Sequence, residues 1–110
     1  MKITGKELEI MTVLWNSKTS LTATEIIEIS PHRTWQETSI YSIMNNLIKK
    51  GAAILDTYKP TASKHARAYK PIITTEQYAL STLCNMEKKG IKFDIDVLVD
   101  ALLKKSKAEG

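Results

Sequence analysis

Apolar residues in the first half of the chain recur three or four positions apart, which predicts three short helices. Each helix follows a capping pattern, in which a threonine hydroxyl and a glutamate side chain three positions later bond backbone amides that the helix leaves free. The three patterns are Thr4-x-x-Glu7, Thr22-x-x-Glu25 and Thr34-x-x-Glu37. The helices are predicted to end near Asn16, before Pro31 and at Gly51, and their tight spacing predicts a helix-turn-helix.

Beyond Gly51 the apolar pattern changes to that of strands. Residues 52–58 and 66–73 are predicted strands, and the segment 59–65 between them is rich in turn-forming residues. A short extended piece is predicted at residues 20–21. A hairpin directly after three helices is the order of a winged helix. The predicted fold class is mainly α with a small antiparallel β wing, a winged helix-turn-helix followed by C-terminal dimerisation helices.

Two further helices are predicted after the hairpin. The first begins at the cap Thr74-x-x-Gln77 and stops at Gly90, and Asp94 caps the second. The last helix carries an apolar stripe with no obvious partner within the chain, and large exposed apolar patches usually mark an interface. We therefore predict a winged-helix domain over residues 1–74 and a dimerisation segment over residues 75–110.

A twofold dimer is the most common arrangement that covers such a stripe. The predicted dimer interface comprises Tyr78, Leu83, Ile95, Leu98, Val99, Leu102 and Leu103. The alternative is that the last helix folds back on the helix that contains Tyr78 and completes a monomeric core.

The basic excess is confined to the middle of the chain. The protein has 110 residues and a formal net charge of +4. Residues 33–75 contribute +5, residues 1–32 contribute −1, and residues 76–110 are neutral. A localised basic surface favours a polyanion such as nucleic acid or an anionic membrane, although a merely solvated face would have the same composition.

The third predicted helix has one apolar face and an opposite face without acidic residues. The apolar face, predicted to point to the core, comprises Ile40, Ile43, Met44, Leu47 and Ile48. The hydroxyl and amide groups of the opposite face suit base edges and phosphates. That face comprises Thr38, Ser42, Asn45, Asn46 and Lys49, flanked by Ser39 and Tyr41, and these residues are the candidates for contacts to bases and phosphates. A solvent-facing helix would usually mix Glu with Lys, so this composition is consistent with DNA binding, and the alternative is a merely polar surface helix.

The loop of the predicted hairpin and its flanks carry four groups that suit phosphates: Lys59, Lys64, His65 and Arg67. A basic hairpin beside a recognition helix can contact the DNA backbone, which provides affinity and register without reading sequence. A soluble loop tip would carry similar residues, so the assignment depends on the neighbouring helix.

Residues 35–51, with the sequence WQETSIYSIMNNLIKKG, resemble the recognition-helix signature of the penicillinase-repressor and copper-operon-repressor family. Residues 8–15 are similar to the family's opening helix, residues 22–27 to its second helix and residues 67–71 to its second wing strand. The resemblance covers about residues 4–80. It implies a dimeric winged helix that represses by occupying a dyad operator, with base-facing roles for Thr38, Ser39, Tyr41 and Ser42.

The chain departs from the family pattern at three places. Asn46 stands where an Arg is common. The penicillinase-type members are inactivated by cleavage at an Asn-Phe bond, but here Phe93 follows Lys92. The copper-type members carry paired Cys-x-Cys motifs, whereas this chain has only Cys84. The resemblance therefore does not identify an inducing signal.

Enzymatic and metal-binding functions find little support in the sequence. Cys84, His32 and His65 are scattered without a ligand spacing, and Cys84 is predicted to be a small buried apolar residue. No glycine-rich phosphate loop is present. We expect no enzymatic activity, no metal and no cofactor.

The expected partners are a double-stranded DNA operator and a second copy of the chain, and the sequence does not identify an inducer or sensor. The absence of a signal-like leader and of several cysteines predicts a cytoplasmic protein. A membrane partner is disfavoured because Asp94, Asp96 and Asp100 accompany the lysines of the last helix. The competing hypothesis is a winged helix that binds a protein partner and no DNA.

Overall fold

A computed structural model of the chain describes residues 2–62 and 64–109. Its helices are α1 (Gly5–Asn16), α2 (Ala23–Ile29), α3 (Ile40–Lys49), α4 (Thr75–Lys88) and α5 (Ile95–Glu109), and a short 3-10 helix (Glu37–Ser39) precedes α3. Its strands are β1 (Leu21–Thr22), β2 (Ala53–Pro60) and β3 (His65–Pro71). The architecture is a winged helix-turn-helix followed by two C-terminal helices, as the sequence predicts.

Two of the three predicted caps in the helix-turn-helix form as expected. Thr4 and Thr22 each accept from the backbone amide three residues later, and Glu7 and Glu25 accept from the threonine amides in return. The predictions that Thr74 caps α4 and that Asp94 caps α5 are also confirmed, because both side chains accept from backbone amides of the first turn.

The cap predicted at Thr34 is wrong. The amide and the hydroxyl of Thr34 both donate to the carboxylate of Glu9 on α1 instead. The 3-10 helix and α3 then begin without a side-chain cap. Thr34 thus bonds the carboxylate of Glu9 on another helix and not that of Glu37, and α3 begins at Ile40.

The three strands form one antiparallel sheet in the order β1-β3-β2. Leu21 pairs with Tyr69 in the β1–β3 ladder, and Leu55 pairs with the other side of Tyr69 in the β2–β3 ladder. The register of the hairpin shifts between Leu55 and Thr57. The two-residue strand β1 therefore joins the start of α2 to the base of the wing.

The core lies between the first three helices and the base of the sheet. Its largest fully buried side chains are Ile10, Met11, Leu14, Ile26, Met44 and Leu47. The prediction for α3 holds at four of its five positions, and Ile48 is the exception, with 37% of its surface exposed. Gly51 ends α3 at a φ of +77°, which favours glycine because a side chain is strained there.

The chain divides into two compact units, one ending at Tyr78 and the other beginning at Ala79. The second unit comprises most of α4 and all of α5. None of residues 79–107 is buried. Within the described part of the chain, no helix is long and apolar enough to cross a membrane.

Candidate nucleic-acid interface

The polar face formed by α3 and the end of the 3-10 helix before it is open to solvent. Thr38, Tyr41, Ser42, Asn45, Asn46 and Lys49 are exposed, and Ser39 is half-buried. Because the opposite face of the helix packs into the core, these polar groups project away from it. We call these seven residues the recognition surface. It carries hydroxyls, amides and one ammonium group, and no carboxylate.

Contacts at both ends of α3 position this surface. Before the helix, the Trp35 ring is 3% exposed, and the Arg33 guanidinium carbon lies 5.3 Å from the ring centroid. At the far end, the Lys50 ammonium donates to the buried carboxylate of Glu7, with 2.5 Å between Nζ and Oε1. Helix α3 is therefore tied to the rest of the first unit before its start and at its end.

The Glu7 carboxyl is held in its ionised form. Its burial opposes ionisation, but hydrogen bonds from Lys50 and Thr4, together with the charge of Lys50, outweigh this effect and lower its pKa below the ordinary value of 4.5. The ion pair between Glu7 and Lys50 therefore persists at neutral pH.

The wing and α3 together line a groove of about 290 Å³. Tyr41 projects into it from α3, and Lys64, His65 and Arg67 reach it from the wing. All four side chains are exposed. Because a phenol hydroxyl and three groups that can carry positive charge meet in one concavity, the groove suits a phosphate beside the recognition surface.

Tyr69 lies next to this groove on β3. Arg67 and Tyr69 are two residues apart on one strand, so their side chains share a face of the sheet. Burial raises the pKa of the Tyr69 phenol above its ordinary value of 10.0, and the charge and hydrogen bond of Arg67 partly offset the rise. The phenol is therefore neutral and lies against the Arg67 guanidinium.

Lys59 does not join the other basic groups of the wing. Its ammonium lies 3.1 Å from one carboxylate oxygen of Glu25 on α2. The Thr22 amide, and after it Lys59, lower the pKa of Glu25 below the ordinary value of 4.5, against the opposing effect of burial. Lys59 thus fastens the wing to α2 in the free protein.

The groove also contains residues that the sequence analysis did not assign to the site. Thr22, Ala23 and Thr24 at the start of α2 form its third wall. The capping pattern identified Thr22 as a helix start, but only the pairing of β1 with β3 brings that start to the wing.

The residues predicted for a dimer interface fall into both compact units. Tyr78 belongs to the first unit, where its ring centroid lies 5.8 Å from that of Trp15. In the second unit, the exposed fractions of Ile95, Val99, Leu102 and Leu103 are 62%, 45%, 55% and 58%, whereas Leu83 and Leu98 are half-buried. The stripe on α5 thus leaves large apolar side chains in solvent.

The prediction that Cys84 is buried is wrong, because its side chain is exposed on α4. Helical spacing placed Cys84 among apolar neighbours, but the second unit has no interior to receive it. Among residues 2–62 and 64–109, no group of three or more His, Cys, Asp or Glu side chains is arranged to hold a metal ion.

Comparison with known proteins identifies a family. The profile of a family described as penicillinase repressor matches residues 3–110. A search of curated proteins found no match. Among solved structures, the chain is similar to the ferric uptake regulator from Francisella tularensis with iron, at 13% identity and a TM-score of 0.46, over 86% of this chain and 84% of that one.

Proposed function

Because the chain belongs to the penicillinase repressor family, we propose that it represses transcription as a homodimer bound to a two-fold symmetric DNA operator. The family match and the winged-helix fold support the broader role of a DNA-binding repressor. Beyond this role, we propose a two-fold symmetric operator, a homodimer, specific roles for the residues named below, and action in the cytoplasm.

The observation that carries the proposal is the recognition surface on α3. An α-helix fits the major groove of B-DNA, where hydroxyl and amide side chains can read base edges. We assign base contacts to Thr38, Ser39, Tyr41, Ser42 and Asn45. An acid at any of these positions would face phosphate, and none is present.

The groove between α3 and the wing supports the phosphate contacts of the proposal. Lys64, His65 and Arg67 would contact the backbone beside the base-reading helix, with Asn46 and Lys49 on the helix itself. Lys59 would join them only by leaving Glu25, since the two are paired in the free protein. Such contacts supply affinity and register, and the base contacts supply specificity.

The exposed stripe on α5 supports the homodimer. Two copies packed through Ile95, Leu98, Val99, Leu102 and Leu103 would cover these side chains and present two recognition helices to one duplex. Half-sites in such complexes lie roughly 34–36 Å apart, or a multiple of that distance. A dimer with two-fold symmetry would then require an operator with the same symmetry.

The first experiment is selection of duplex sites from a random DNA pool with the purified protein, followed by anisotropy titration of the best site at several salt concentrations. We expect a dyad-symmetric site and a steep fall of affinity with salt, because each phosphate contact releases counterions. No enrichment, or a shallow salt dependence, would favour a protein-interaction module instead.

The double substitution Ser42→Glu and Asn45→Glu tests the assigned surface. We expect DNA binding to be lost with the fold intact, since two carboxylates would face the major groove of the DNA and its phosphates. The control adds the same two charges elsewhere, through Asn16→Glu on α1 and Val97→Glu on α5, which are both exposed and lie off the apolar stripe. Binding retained by the first variant, or lost equally in the control, would refute the assignment.

A further inference from the structure

A second groove lies in the first unit, between α1, the end of α2 and the turn that leads to the 3-10 helix. Its volume is about 330 Å³, within the range of small-molecule sites. Val13, Ile29, Pro31 and the Trp35 ring line it with apolar surface, and Ser30 and Arg33 add polar groups. We call it the Trp35 groove.

Two lining residues hold polar atoms with no partner. In the described part of the chain, the Ser30 Oγ and the Trp35 Nε1 are both shielded from solvent and bond to no protein group. Buried polar groups are nearly always hydrogen-bonded, so two exceptions in one part of the fold call for an explanation. Both exceptions here belong to residues that line the same groove.

Arg33 is the group lining the groove that suits an acidic ligand. Arg33 lies over the Trp35 ring and donates to the Ser30 carbonyl at 3.1 Å, but its carboxylate partner Glu37 is 3.6 Å away and mostly exposed. The acid that lines the groove, Glu9, is already bonded to the amide and hydroxyl of Thr34. The guanidinium therefore retains the capacity to bind another carboxylate.

We propose that the Trp35 groove binds a small aromatic carboxylate. The ligand ring contacts Val13, Ile29 and Pro31, and its carboxylate pairs with Arg33. Ser30 and Trp35 would have to turn for their unpartnered atoms to reach the ligand, because both atoms are shielded from solvent. The apolar walls and the Arg33 guanidinium set the chemical class, and the groove has room for one ring with a short acidic group.

Occupancy of the groove reaches the recognition helix through the chain itself. Trp35 lies two residues before the 3-10 helix Glu37–Ser39, which leads directly into α3. A ligand that moves Trp35 or Arg33 therefore changes the position of Thr38 and Ser39. This regulatory part of the inference rests on the proposed function, whereas the binding part does not.

The test is an NMR titration of the full chain with benzoate, observing the two indole N–H signals. The chain has two tryptophans, and a Trp15→Phe variant assigns them. We expect benzoate to shift the Trp35 signal saturably and to leave the Trp15 signal unchanged. Benzamide, the neutral analogue, should bind at least tenfold more weakly because it cannot pair with Arg33.

Two substitutions define the site. Ile29→Glu should abolish benzoate binding, whereas Ile72→Glu should not, although the two isoleucines are similarly exposed at 56% and 52%. Arg33→Gln should weaken benzoate tenfold or more and leave benzamide unaffected. An unmoved Trp35 signal, equal shifts of both indoles, or a shift that persists in Ile29→Glu would overturn the proposal.

Operator binding provides a separate measurement. Anisotropy of the selected duplex with saturating benzoate should show a change of at least threefold in affinity. Benzoate binding with unchanged operator affinity would overturn the regulatory part alone. If no operator is found, the NMR titration still decides whether the groove binds aromatic carboxylates, so the two failures remain distinguishable.

Discussion

Both compact units carry apolar stripes on their helices, but only the first unit buries them. In the first unit Met44 and Leu47 of α3 are fully buried against α1, α2 and the sheet. In the second unit Leu102 and Leu103 of α5 are more than half exposed. Burial of a large apolar side chain contributes about 1.5–3 kcal/mol, so the second unit lacks stabilisation that the first obtains from its own residues.

The difference indicates two sources of stability. Contacts within one chain account for the first unit, which holds the recognition surface. The second unit leaves the apolar side chains of α5 exposed, and in the proposed dimer a second chain supplies the missing contacts. The stability of the second unit should therefore depend more on protein concentration than that of the first.

The largest expected effect comes from charging the stripe. The double substitution Leu98→Lys and Leu102→Lys should give monomers, because lysine ammonium groups cannot be buried unpaired. Operator affinity should fall by about 10²–10⁴-fold, the usual contribution of a linked second site. Sedimentation velocity and anisotropy measure the two effects. Val97→Lys is the control, since Val97 is 67% exposed and lies off the stripe. An unchanged sedimentation profile would contradict the assigned interface.

Removing core volume from the first unit should have the next largest effect. Leu47→Ala leaves a cavity in a fully buried position, which typically destabilises a protein by about 2–5 kcal/mol. Leu80→Ala on α4, where the side chain is 62% exposed, should change stability by less than about 0.5 kcal/mol. Urea unfolding followed by far-UV circular dichroism, which reports on the helices of both units, compares the two variants. Similar losses of stability in the two variants would show that the units do not differ in how they bury apolar side chains.

The ion pair between Glu7 and Lys50 tests the first unit by pH. The pKa of Glu7 is lowered in the folded protein, so its contribution is present above about pH 4.5 and is lost as the pH falls through the folded pKa. Glu7→Gln should destabilise the protein by about 1.5–3 kcal/mol at neutral pH, the range for hydrogen bonds to charged groups. The stability of this variant should also fall less on acidification than that of the unsubstituted protein. Equal acid sensitivity in urea unfolding would refute this role.

The matching pair in the second unit should have the smallest effect. Asp100 and Lys104 approach to 3.0 Å, but their side chains are 64% and 77% exposed. Exposed pairs of this type contribute about 0.3–0.5 kcal/mol, so Asp100→Asn should lower stability by no more than that amount. Thermal unfolding at low and high salt measures the change. A loss as large as that of Glu7→Gln would show that α5 is packed more closely than its exposure indicates.

Local signals were sufficient to predict most of the fold. Capping patterns and apolar spacing place the helix starts at Thr4, Thr22 and Thr74, and the change of period after Gly51 places the hairpin. These features depend on residues a few positions apart. The recognition surface was predictable for the same reason, because the spacing of the apolar face determines which residues lie opposite it.

The remaining features depend on partners distant in sequence. Thr34 bonds Glu9 rather than capping α3, and Lys59 bonds Glu25 rather than standing free on the wing. Neither pairing follows from local spacing, because each requires the packing of separate elements. Cys84 was predicted to be buried from its apolar neighbours, which would hold only if the second unit had a closed interior.

The pairing of β1 with β3 has a consequence for protein engineering. Leu21 holds Tyr69 at the base of the wing, and the Ala52 carbonyl accepts from the Ile72 amide at 2.8 Å nearby. The strand register is thus determined at the end remote from the loop. The segment between Lys59 and His65 can therefore serve as an exchangeable cassette, in which a longer or more basic loop alters backbone contacts without repacking the base.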